Sequence, residues 1–430
     1  MEYLQYQFNR RLPVVNETDI LVVGAGPGGM SAAIMAARNG AKVTVAEQYG
    51  CAGGMAVMGE ISPFVPNHCN GKPLDKPLFV DLCRKMHEIT EPEDTFDENI
   101  AMRPIDKHAA MLAWEELMLE NGVNLLYHHT LFDVMMDDGK VTAALFLTKS
   151  GICALRAKIF IDATGDGDLA ALGGAAFEIG NEEGCCQPMT TCFKISNIDR
   201  STMPPLSELN RLYEDAKKAG MINCLRENIL FFETGDKSIL HFNTTRVVKK
   251  SGISGKEFSE AEIEGRRQIR EFFSFFKNCV PGFEKAALHS IAHQVGVRES
   301  RRIRGLVFQT ADDFRRAAKY PDGVVKIRYP IDIHNPSGNG THMERMKNDD
   351  WYELRYGALV PQNTKNILMG CRAVSVDHAL HSSSRVMAPV CSIGQAAGLA
   401  ATMCIAKNCQ PSELNGKEVR KKLQENGAGL

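Results

Sequence analysis

The sequence predicts an α/β protein built on a parallel sheet that begins near the N-terminus and carries a three-stranded β insertion. The C-terminal segment completes this sheet, and an α+β cap lies in sequence between the N-terminal and C-terminal parts. Three observations support this class. Residues 19–47 follow the order strand, glycine turn, helix, strand; residues 124–161 change to strand periodicity; and the alternation of strands and helices is lost from about 176 to 345 and then returns. We therefore predict three segments, 1–175, 176–345 and 346–430, of which the first and third form one domain.

Residues 19–47, DILVVGAGPGGMSAAIMAARNGAKVTVAE, form the Rossmann-like unit on which this prediction rests. Gly24 permits a sharp turn after the strand, Gly26 lets backbone approach a pyrophosphate with no Cβ in the way, and Gly29 lets the helix lie close to the sheet. Glu47 follows Gly26 by 21 positions, where it can accept hydrogen bonds from a ribose and would repel a 2′-phosphate. A turn of this kind can exist without a ligand, but the strand, the helix and the acid together favour a dinucleotide site that is not specific for NADP.

The chain after Glu47 is predicted to form a glycine-rich loop, two helices and three strands. Gly53 and Gly54 would let the loop approach the far half of a bound dinucleotide. Helices are predicted at 77–90 and 103–121, and turn residues divide 124–161 into three strands.

The last of these strands runs into IDATGDGDLAAL, which also fits a GxGxxA nucleotide fingerprint. We reject a second nucleotide site there because Asp166 and Asp168 would direct negative charge at a pyrophosphate and no clear strand with a terminal acid follows. We predict instead a strand that returns to the first site, with Thr164 and Gly165 lining the same dinucleotide.

Composition limits the classes of function. The chain has 430 residues and a net charge of −2, which gives no indication of a nucleic-acid partner. Its 13 cysteines are scattered without C-x-x-C spacing, and only Cys185 and Cys186 are adjacent, so we expect free thiols and no metal site. The N-terminal stretch has no apolar leader and we see no run as long as a membrane span, so we expect a cytoplasmic protein that does not bind membranes.

The C-terminal segment returns to small and apolar residues. A strand is predicted at 366–369, followed by Gly370, a polar loop and a helix that begins near 386–389 and ends at about 407. The face GQAAGLAA on that helix is nearly all small, as close packing against another backbone requires.

Four stretches together carry a resemblance: GAGPGG with Glu47, the GG of CAGGM, IDATGDGDLA, and GCRAVSVDHALHSSSRVMAPVCSIGQAAG. They resemble the FAD-dependent oxidoreductases of the glutathione-reductase-like clan of FAD/NAD(P)-binding proteins, distant relatives of the fumarate reductase flavoproteins. The chain departs from the disulfide reductases of that clan, because it has neither their redox cysteine pair nor a second nucleotide fold. Cys51 is the nearest nucleophile for a covalent flavin bond, although ordinary packing also explains it.

The resemblance implies roles for individual residues toward FAD. The pyrophosphate cradle would be formed by Gly24, Gly26 and Gly29, and the adenosine contacts by Glu47 and Val134. The loops lining the cofactor would contribute Thr164, Gly165 and Gly370. The pyrimidine edge of the flavin would meet Arg385 and Val386. A helix beginning at that edge would stabilise the anionic reduced flavin through its positive dipole end.

Flavin chemistry also needs a group that handles a proton. His378 and His381 precede the flavin-facing helix, His334 lies where the cap returns to the first domain, and His293 is a further candidate. Each of these can equally be a structural histidine. In the run HQVGVRESRRIR, Arg298 or Arg301 can clamp a carboxylate if it points inward, whereas an outward arginine would form a solvated face.

We therefore predict a flavoenzyme that transfers a hydride between FAD and a small polar substrate, with His334 or His378 for the proton and Arg298 for a substrate carboxylate. The electron donor or acceptor is left undefined, and homo-oligomerisation is left open. Two alternatives remain: a dinucleotide-binding biosynthetic enzyme of the thiazole-synthase type, and a flavin-binding subunit without catalysis.

Overall fold

The structure is a computed structural model that describes residues 11–100 and 102–430, so most of the N-terminal stretch read above lies outside the described residues. The described part contains ten α-helices. In chain order they are α1 Pro27–Arg38, α2 Leu78–Thr90, α3 Lys107–Glu120, α4 Asp168–Leu172, α5 Leu206–Lys218, α6 Gly255–Cys279, α7 Ala311–Arg315, α8 His378–Ser384, α9 Met387–Lys407 and α10 Gly416–Glu425.

The strands form one seven-stranded sheet, a four-stranded sheet in the cap and several short pairs. They are β1 Val14–Val23, β2 Val43–Ala46, β3 His68–Cys69, β4 Lys72–Pro73, β5 Asn124–Leu126, β6 Thr130–Asp137, β7 Lys140–Thr148, β8 Gly151–Asp162, β9 Phe177–Ile179, β10 Phe193–Ser196, β11 Phe231–Glu233, β12 Leu240–Phe242, β13 Ala287–Ile291, β14 Arg301–Ile303, β15 Gly323–Ile327, β16 Ile331–His334, β17 Thr341–Glu344, β18 Tyr352–Arg355 and β19 Ile367–Met369.

The large sheet confirms the predicted α/β class. Its strand order is β5-β2-β1-β8-β7-β6, and β19 pairs with the second half of β8. Strands β5, β2, β1, β8 and β19 are parallel, whereas β6 and β7 are antiparallel additions. Because β8 lies beside β1, the chain returns after β7 to the end of the sheet where the first glycine turn is found.

Three predicted elements need correction. The first predicted strand of 124–161 is two strands, because His128 adopts a left-handed φ of 58° and separates β5 from β6. Helix α3 begins at Lys107 instead of near 103, where the side chain of Asp106 caps its first turn. The predicted polar loop after Gly370 contains α8, whose first turn is capped by Asp377.

The cap has a hydrophobic core of its own. Its buried residues come from positions 193 to 286, and seven aromatic side chains are packed in it: Phe193, Tyr213, Phe242, Phe272, Phe275, Phe276 and Phe283. Buried residues between 303 and 331 belong instead to the core of the first domain. The segment 287–345 therefore connects the two cores.

Helices α1 and α9 pack backbone against backbone beneath the site. A Cβ added at Gly394 would overlap the carbonyl oxygen of Gly28, and one added at Gly398 would overlap that of Ala32. This is the contact that the small-residue face of α9 predicted. Among the described residues α9 is also the one helix whose length and composition would let it cross a membrane, contrary to our expectation of no such run; 78% of its most apolar window is buried inside the protein.

The cysteines are free thiols throughout the described chain, as predicted. Within residues 11–100 and 102–430, histidine, cysteine and acidic side chains form no cluster able to hold a metal ion.

The helix contact gives a first prediction. Gly398→Ala should lower the free energy of unfolding by about 1–3 kcal/mol, because the added methyl group meets backbone that cannot move aside. Helix propensity alone predicts the opposite sign, an increase of about 1 kcal/mol in the free energy of unfolding. Urea unfolding of Gly398→Ala against Gly235→Ala, whose added Cβ meets no atom within 4 Å, measures the difference. Equal stability of the two variants would contradict the packing argument.

Candidate active site

One cavity of about 1450 Å³ runs from the carboxyl ends of β1 and β2, past the N-termini of α1 and α9, into the cap. Binding pockets for a single small ligand usually measure about 300–1,000 Å³. The cavity is therefore large enough for a dinucleotide at the sheet and a second molecule toward the cap.

The glycine turn after β1 forms one wall. Gly24, Gly26 and Gly28 line the cavity, and Gly24 has a φ of 103°, in the region that glycine tolerates best. A Cβ at Gly26 would meet only one atom within 4 Å, at 3.8 Å, so a ligand can approach this backbone closely. The first turn of α1 then presents free N–H groups to an anion.

Two of the predicted glycines support this wall from behind. Gly29 does not line the cavity, and a Cβ there would overlap the carbonyl oxygen of Gly24. Gly370 also lies behind the surface, where a Cβ at Gly28 would overlap its carbonyl oxygen. Of the second glycine pair, Gly54 lines the cavity, whereas the Gly53 N–H donates a 2.8 Å hydrogen bond to the Ala25 carbonyl.

Glu47 is buried, with 5% of its surface exposed, and its carboxylate links the glycine turn to the loop after β2. The Ala25 N–H donates to Oε2 at 2.6 Å and the Tyr49 N–H donates to Oε1 at 2.9 Å. Burial raises the pKa of Glu47, and these backbone hydrogen bonds oppose the increase. Each oxygen keeps a lone pair for a ligand hydroxyl.

The loop after β8 forms the opposite wall, with Thr164 and Gly165 on the cavity surface. Asp162, which is fully buried, accepts hydrogen bonds from the Thr164 hydroxyl at 2.7 Å and from the Ala170 N–H at 2.8 Å. Burial raises the pKa of Asp162 to about 6. This carboxyl group therefore holds the loop and the start of α4 in place.

Arginines neutralise the acidic groups of that loop. Arg372 Nη2 lies 2.6 Å from Asp166 Oδ1, and Arg301 Nη1 lies 2.6 Å from Asp168 Oδ1. Both aspartates line the cavity, so the charges that argued against a second nucleotide fingerprint are compensated within the protein.

The end of the cavity near β6 is lined by Thr130, Leu131, Ala171 and Leu172. Val134, to which the resemblance gave the adenine contact, does not line it. The register of β6 shifts between Leu131 and Asp133, so counting residues along this strand misplaces the position that faces the cavity.

Three arginines line the cavity near the cap: Arg226, Arg298 and Arg385. Arg298 Nη1 donates to the Pro188 carbonyl at 2.6 Å, and Arg385 Nη2 lies 3.5 Å from both Gln187 Oε1 and the Asp332 carbonyl. Burial and the charges of Arg385 and Arg226 lower the pKa of Arg298 to about 9. Three cationic groups therefore lie close enough to affect one another. Arg385 and Val386 immediately precede α9, as predicted.

Tyr329, Asp332 and His334 line the same region. The Tyr329 hydroxyl donates to Asp332 Oδ2 at 3.2 Å, and His334 Nε2 lies 3.6 Å from that oxygen. Burial alone would raise the pKa of Asp332, but His334 and the nearby arginines hold it well below its ordinary value. Burial and the charge of Arg298 lower the pKa of His334 to about 3 despite Asp332, so this ring is neutral in the physiological range. Burial raises the pKa of Tyr329 to about 12.

The remaining predicted groups lie outside the cavity wall. His378 Nδ1 is 2.9 Å from the fully buried Glu299, which also binds Arg302, so His378 takes part in a structural polar cluster. Cys51 is half-buried with its sulfur 3.8 Å from that of Met58, and burial raises the pKa of its thiol.

Sequence reasoning did not single out Arg226, Arg372, Tyr329 or Asp332 as site residues. Arg372 could have been found, because it lies two residues after Gly370 in a stretch already assigned to the cofactor. Arg226, in NCLREN, belongs to no motif and reaches the cavity only through the tertiary fold of the cap.

Comparison with known proteins gives a family model described as FAD dependent oxidoreductase, which matches residues 19–423. A thiamine thiazole synthase of Methanococcus maripaludis (strain C7) is 25% identical over 170 residues, which are 38% of this chain and 61% of that protein. The match thus spans less than two thirds of the relative's length.

Solved structures with a similar fold are distant in sequence. A geranylgeranyl bacteriochlorophyll reductase-like protein from Thermoplasma acidophilum is 12% identical with a TM-score of 0.47, over 96% of this chain and 84% of that chain. An L-proline dehydrogenase from P. horikoshii is 13% identical with a TM-score of 0.42, over 96% and 99% of the two chains.

The Glu47 geometry gives a second prediction. Glu47→Gln should weaken dinucleotide retention about 10- to 100-fold, because an amide cannot accept from both backbone N–H groups and also present two acceptors to a ribose. The dissociation constant for the cofactor, followed by its fluorescence, measures the effect. Glu17→Gln, an exposed acid on β1, is the control. Wild-type affinity in Glu47→Gln would exclude the proposed ribose contact.

A third prediction concerns pH. The pKa of His334 is about 3 in the folded protein and near 6.5 when unfolded, so its contribution to stability is complete above about pH 6.5 and is lost as pH falls toward 3. Over this window the wild type should lose up to about 1.4 kcal/mol per pH unit more than His334→Gln. Urea unfolding from pH 4.5 to 7.5 measures both slopes, with the exposed His342→Gln as control. Parallel slopes for wild type and His334→Gln would contradict a neutral buried ring.

Proposed function

This chain belongs to the family of FAD-dependent oxidoreductases, and on that basis we propose that its substrate is a small polar molecule bearing a carboxylate. The protein is an FAD-dependent enzyme. Membership of the family does not specify the substrate or the direction of the redox reaction.

The residues present fit FAD. The open backbone at Gly26, the first turn of α1 and the buried Glu47 suit the pyrophosphate and the ribose of its adenosine half. The cavity continues from there to the N-terminus of α9, where Arg385 and Val386 would bind the flavin edge. When bound, FAD supplies the atom that accepts or donates a hydride.

One observation carries the proposal: Arg298 and Arg385 line the cavity without a carboxylate partner. Within the described chain, no aspartate or glutamate oxygen lies within 4 Å of either guanidinium. Arg385 Nε is buried without any hydrogen bond. Arginine charge in such a site is costly unless an anion pairs with it, and a substrate carboxylate satisfies a guanidinium bidentately.

Proton transfer is assigned to His334 in this proposal. Its ring lies in the cavity, is neutral above about pH 3, and keeps Nδ1 within 3.2 Å of the Thr341 hydroxyl. Asp332 beside it would stabilise the ring when it takes up a proton. His378 is not retained, because it does not line the cavity and contacts Glu299 instead.

The similarity to a thiamine thiazole synthase keeps one alternative, a biosynthetic enzyme in which the bound dinucleotide is a scaffold or is consumed. The absorbance spectrum of the purified protein distinguishes the two. Oxidised-flavin bands that bleach on anaerobic reduction support the oxidoreductase, whereas a nicotinamide-type spectrum supports the alternative.

We further propose that a separate electron donor or acceptor completes the reaction, because the large parallel sheet contributes one dinucleotide site. The free thiols suit a reducing cytoplasm.

The experiment that tests the function uses flavin-loaded protein and a panel of small carboxylates with their carboxamides. Carboxylates should perturb the flavin absorbance, and their carboxamides should bind at least about tenfold more weakly. Arg298→Gln should abolish this difference, because its amide cannot form a charged bidentate pair.

Arg211→Gln serves as the control, since Arg211 is exposed on α5 and paired with Glu208 and Asp215. Equal binding of carboxylates and carboxamides by the wild type would overturn the proposed substrate class.

A further inference from the structure

We propose that the substrate carries two anionic groups, and that the second binds to Arg226 in the cap. The inference rests on the proposed function, which places the first carboxylate at Arg298 and Arg385. It adds a second anion subsite formed by a different segment of the chain, between α5 and β11.

Arg226 is fixed in the wall of the cavity with its charge uncompensated. The residue is 8% exposed, and its carbonyl accepts hydrogen bonds from the Tyr213 hydroxyl and from Lys217, each at 2.9 Å. Its Nε is buried without a hydrogen-bond partner. Among the residues that the structure describes, the guanidinium donates no hydrogen bond at all, and its nearest carboxylate oxygen is Glu227 Oε2, at 3.9 Å.

Glu227 does not neutralise Arg226, because it is already paired. The same oxygen, Oε2, lies 3.1 Å from Arg246 Nη1. Arg246 is buried and held in place, since its other guanidinium nitrogen donates to the Gly340 carbonyl at 2.7 Å and its backbone N–H donates to Gln268 at 2.8 Å. The pair Glu227–Arg246 therefore carries no net charge, and Arg226 remains unpaired.

Amide groups complete the subsite. Asn228 and Asn243 line the cavity with Arg226, and Asn243 Oδ1 accepts from the Thr190 hydroxyl at 3.1 Å. With the amide oxygen of Asn243 placed toward Thr190, its NH₂ group has no acceptor within hydrogen-bond distance in the described chain. A guanidinium with neighbouring amide donors is a suitable site for a carboxylate or a phosphate.

Charge balance distinguishes one anionic group from two. Arg298, Arg385 and Asp332 together carry a net charge of +1, which one substrate carboxylate neutralises. Arg226 with the Glu227–Arg246 pair carries a further +1, which that carboxylate does not neutralise. A buried, unpaired guanidinium is unfavourable, so a substrate with a second anionic group gains affinity that a monocarboxylate of the same length does not.

The test measures dissociation constants from flavin absorbance for straight-chain dicarboxylates of increasing length, for monocarboxylates of matched length, and for carboxylates ending in a phosphate. The wild type should bind the best dicarboxylate or phospho-carboxylate about 10- to 100-fold more tightly than the matched monocarboxylate. Comparing the two dianion series shows whether the second group is a carboxylate or a phosphate.

Arg226→Gln should reduce this ratio to about one, Arg226→Lys should retain part of it, and Arg211→Gln should leave it unchanged. Thermal unfolding of each variant establishes that it is folded. A wild-type ratio near one, or a ratio that survives in Arg226→Gln, overturns the second subsite while leaving the carboxylate preference of the proposed function intact. Failure of every carboxylate to bind overturns both.

Discussion

The site depends on the direct contact between the backbones of α1 and α9. Two glycines of α9 remove the side chains that would separate these helices, since a Cβ at Gly394 or Gly398 would overlap a carbonyl oxygen of α1. The contact brings two helix N-termini to one cavity, where one suits a phosphate group and the other suits the edge of the flavin. No hydrogen bond or ion pair could fix their separation as firmly, because close-packed backbone can neither rotate away nor compress.

Charge is distributed unevenly along the cavity, and it differs between the part proposed to bind the cofactor and the part proposed to bind the substrate. Near the cofactor wall the acids Asp166 and Asp168 are each paired with an arginine, so these two charges are compensated before any ligand arrives. Toward the cap the balance is positive: within the described chain Arg298 and Arg385 have no carboxylate oxygen within 4 Å, and the one nearest to Arg226, at 3.9 Å, is shared with Arg246. In the function that we propose, the cofactor would be held mainly by backbone shape and one buried acid, whereas the substrate would be selected by charge.

The cofactor half of the site was largely predictable from the sequence. Close approach of backbone requires glycine and other small residues, and residue identity alone reveals where these occur. Six of the predicted residues line the cavity: Gly24, Gly26, Thr164, Gly165, Arg385 and Val386. Other predicted residues do not line the cavity. Val134 was assigned from the resemblance, and it lies on a strand whose register shifts after Leu131, which periodicity cannot reveal. His378 was chosen by proximity in sequence, which does not show that a buried glutamate binds it. Arg226 was missed because its position depends on how the cap folds over the sheet.

The sequence separation of the two packed helices has a consequence for synthesis of the protein. Gly28 leaves the ribosome long before Gly394 and Gly398, because most of the chain described here lies between them. The backbone contact between α1 and α9 cannot form until α9 has been synthesised. The cap, whose hydrophobic core uses residues 193 to 286 alone, can collapse earlier. A nascent chain that stalls before α9 would therefore expose the small apolar face of α1, and chaperones rather than the cofactor would have to protect it.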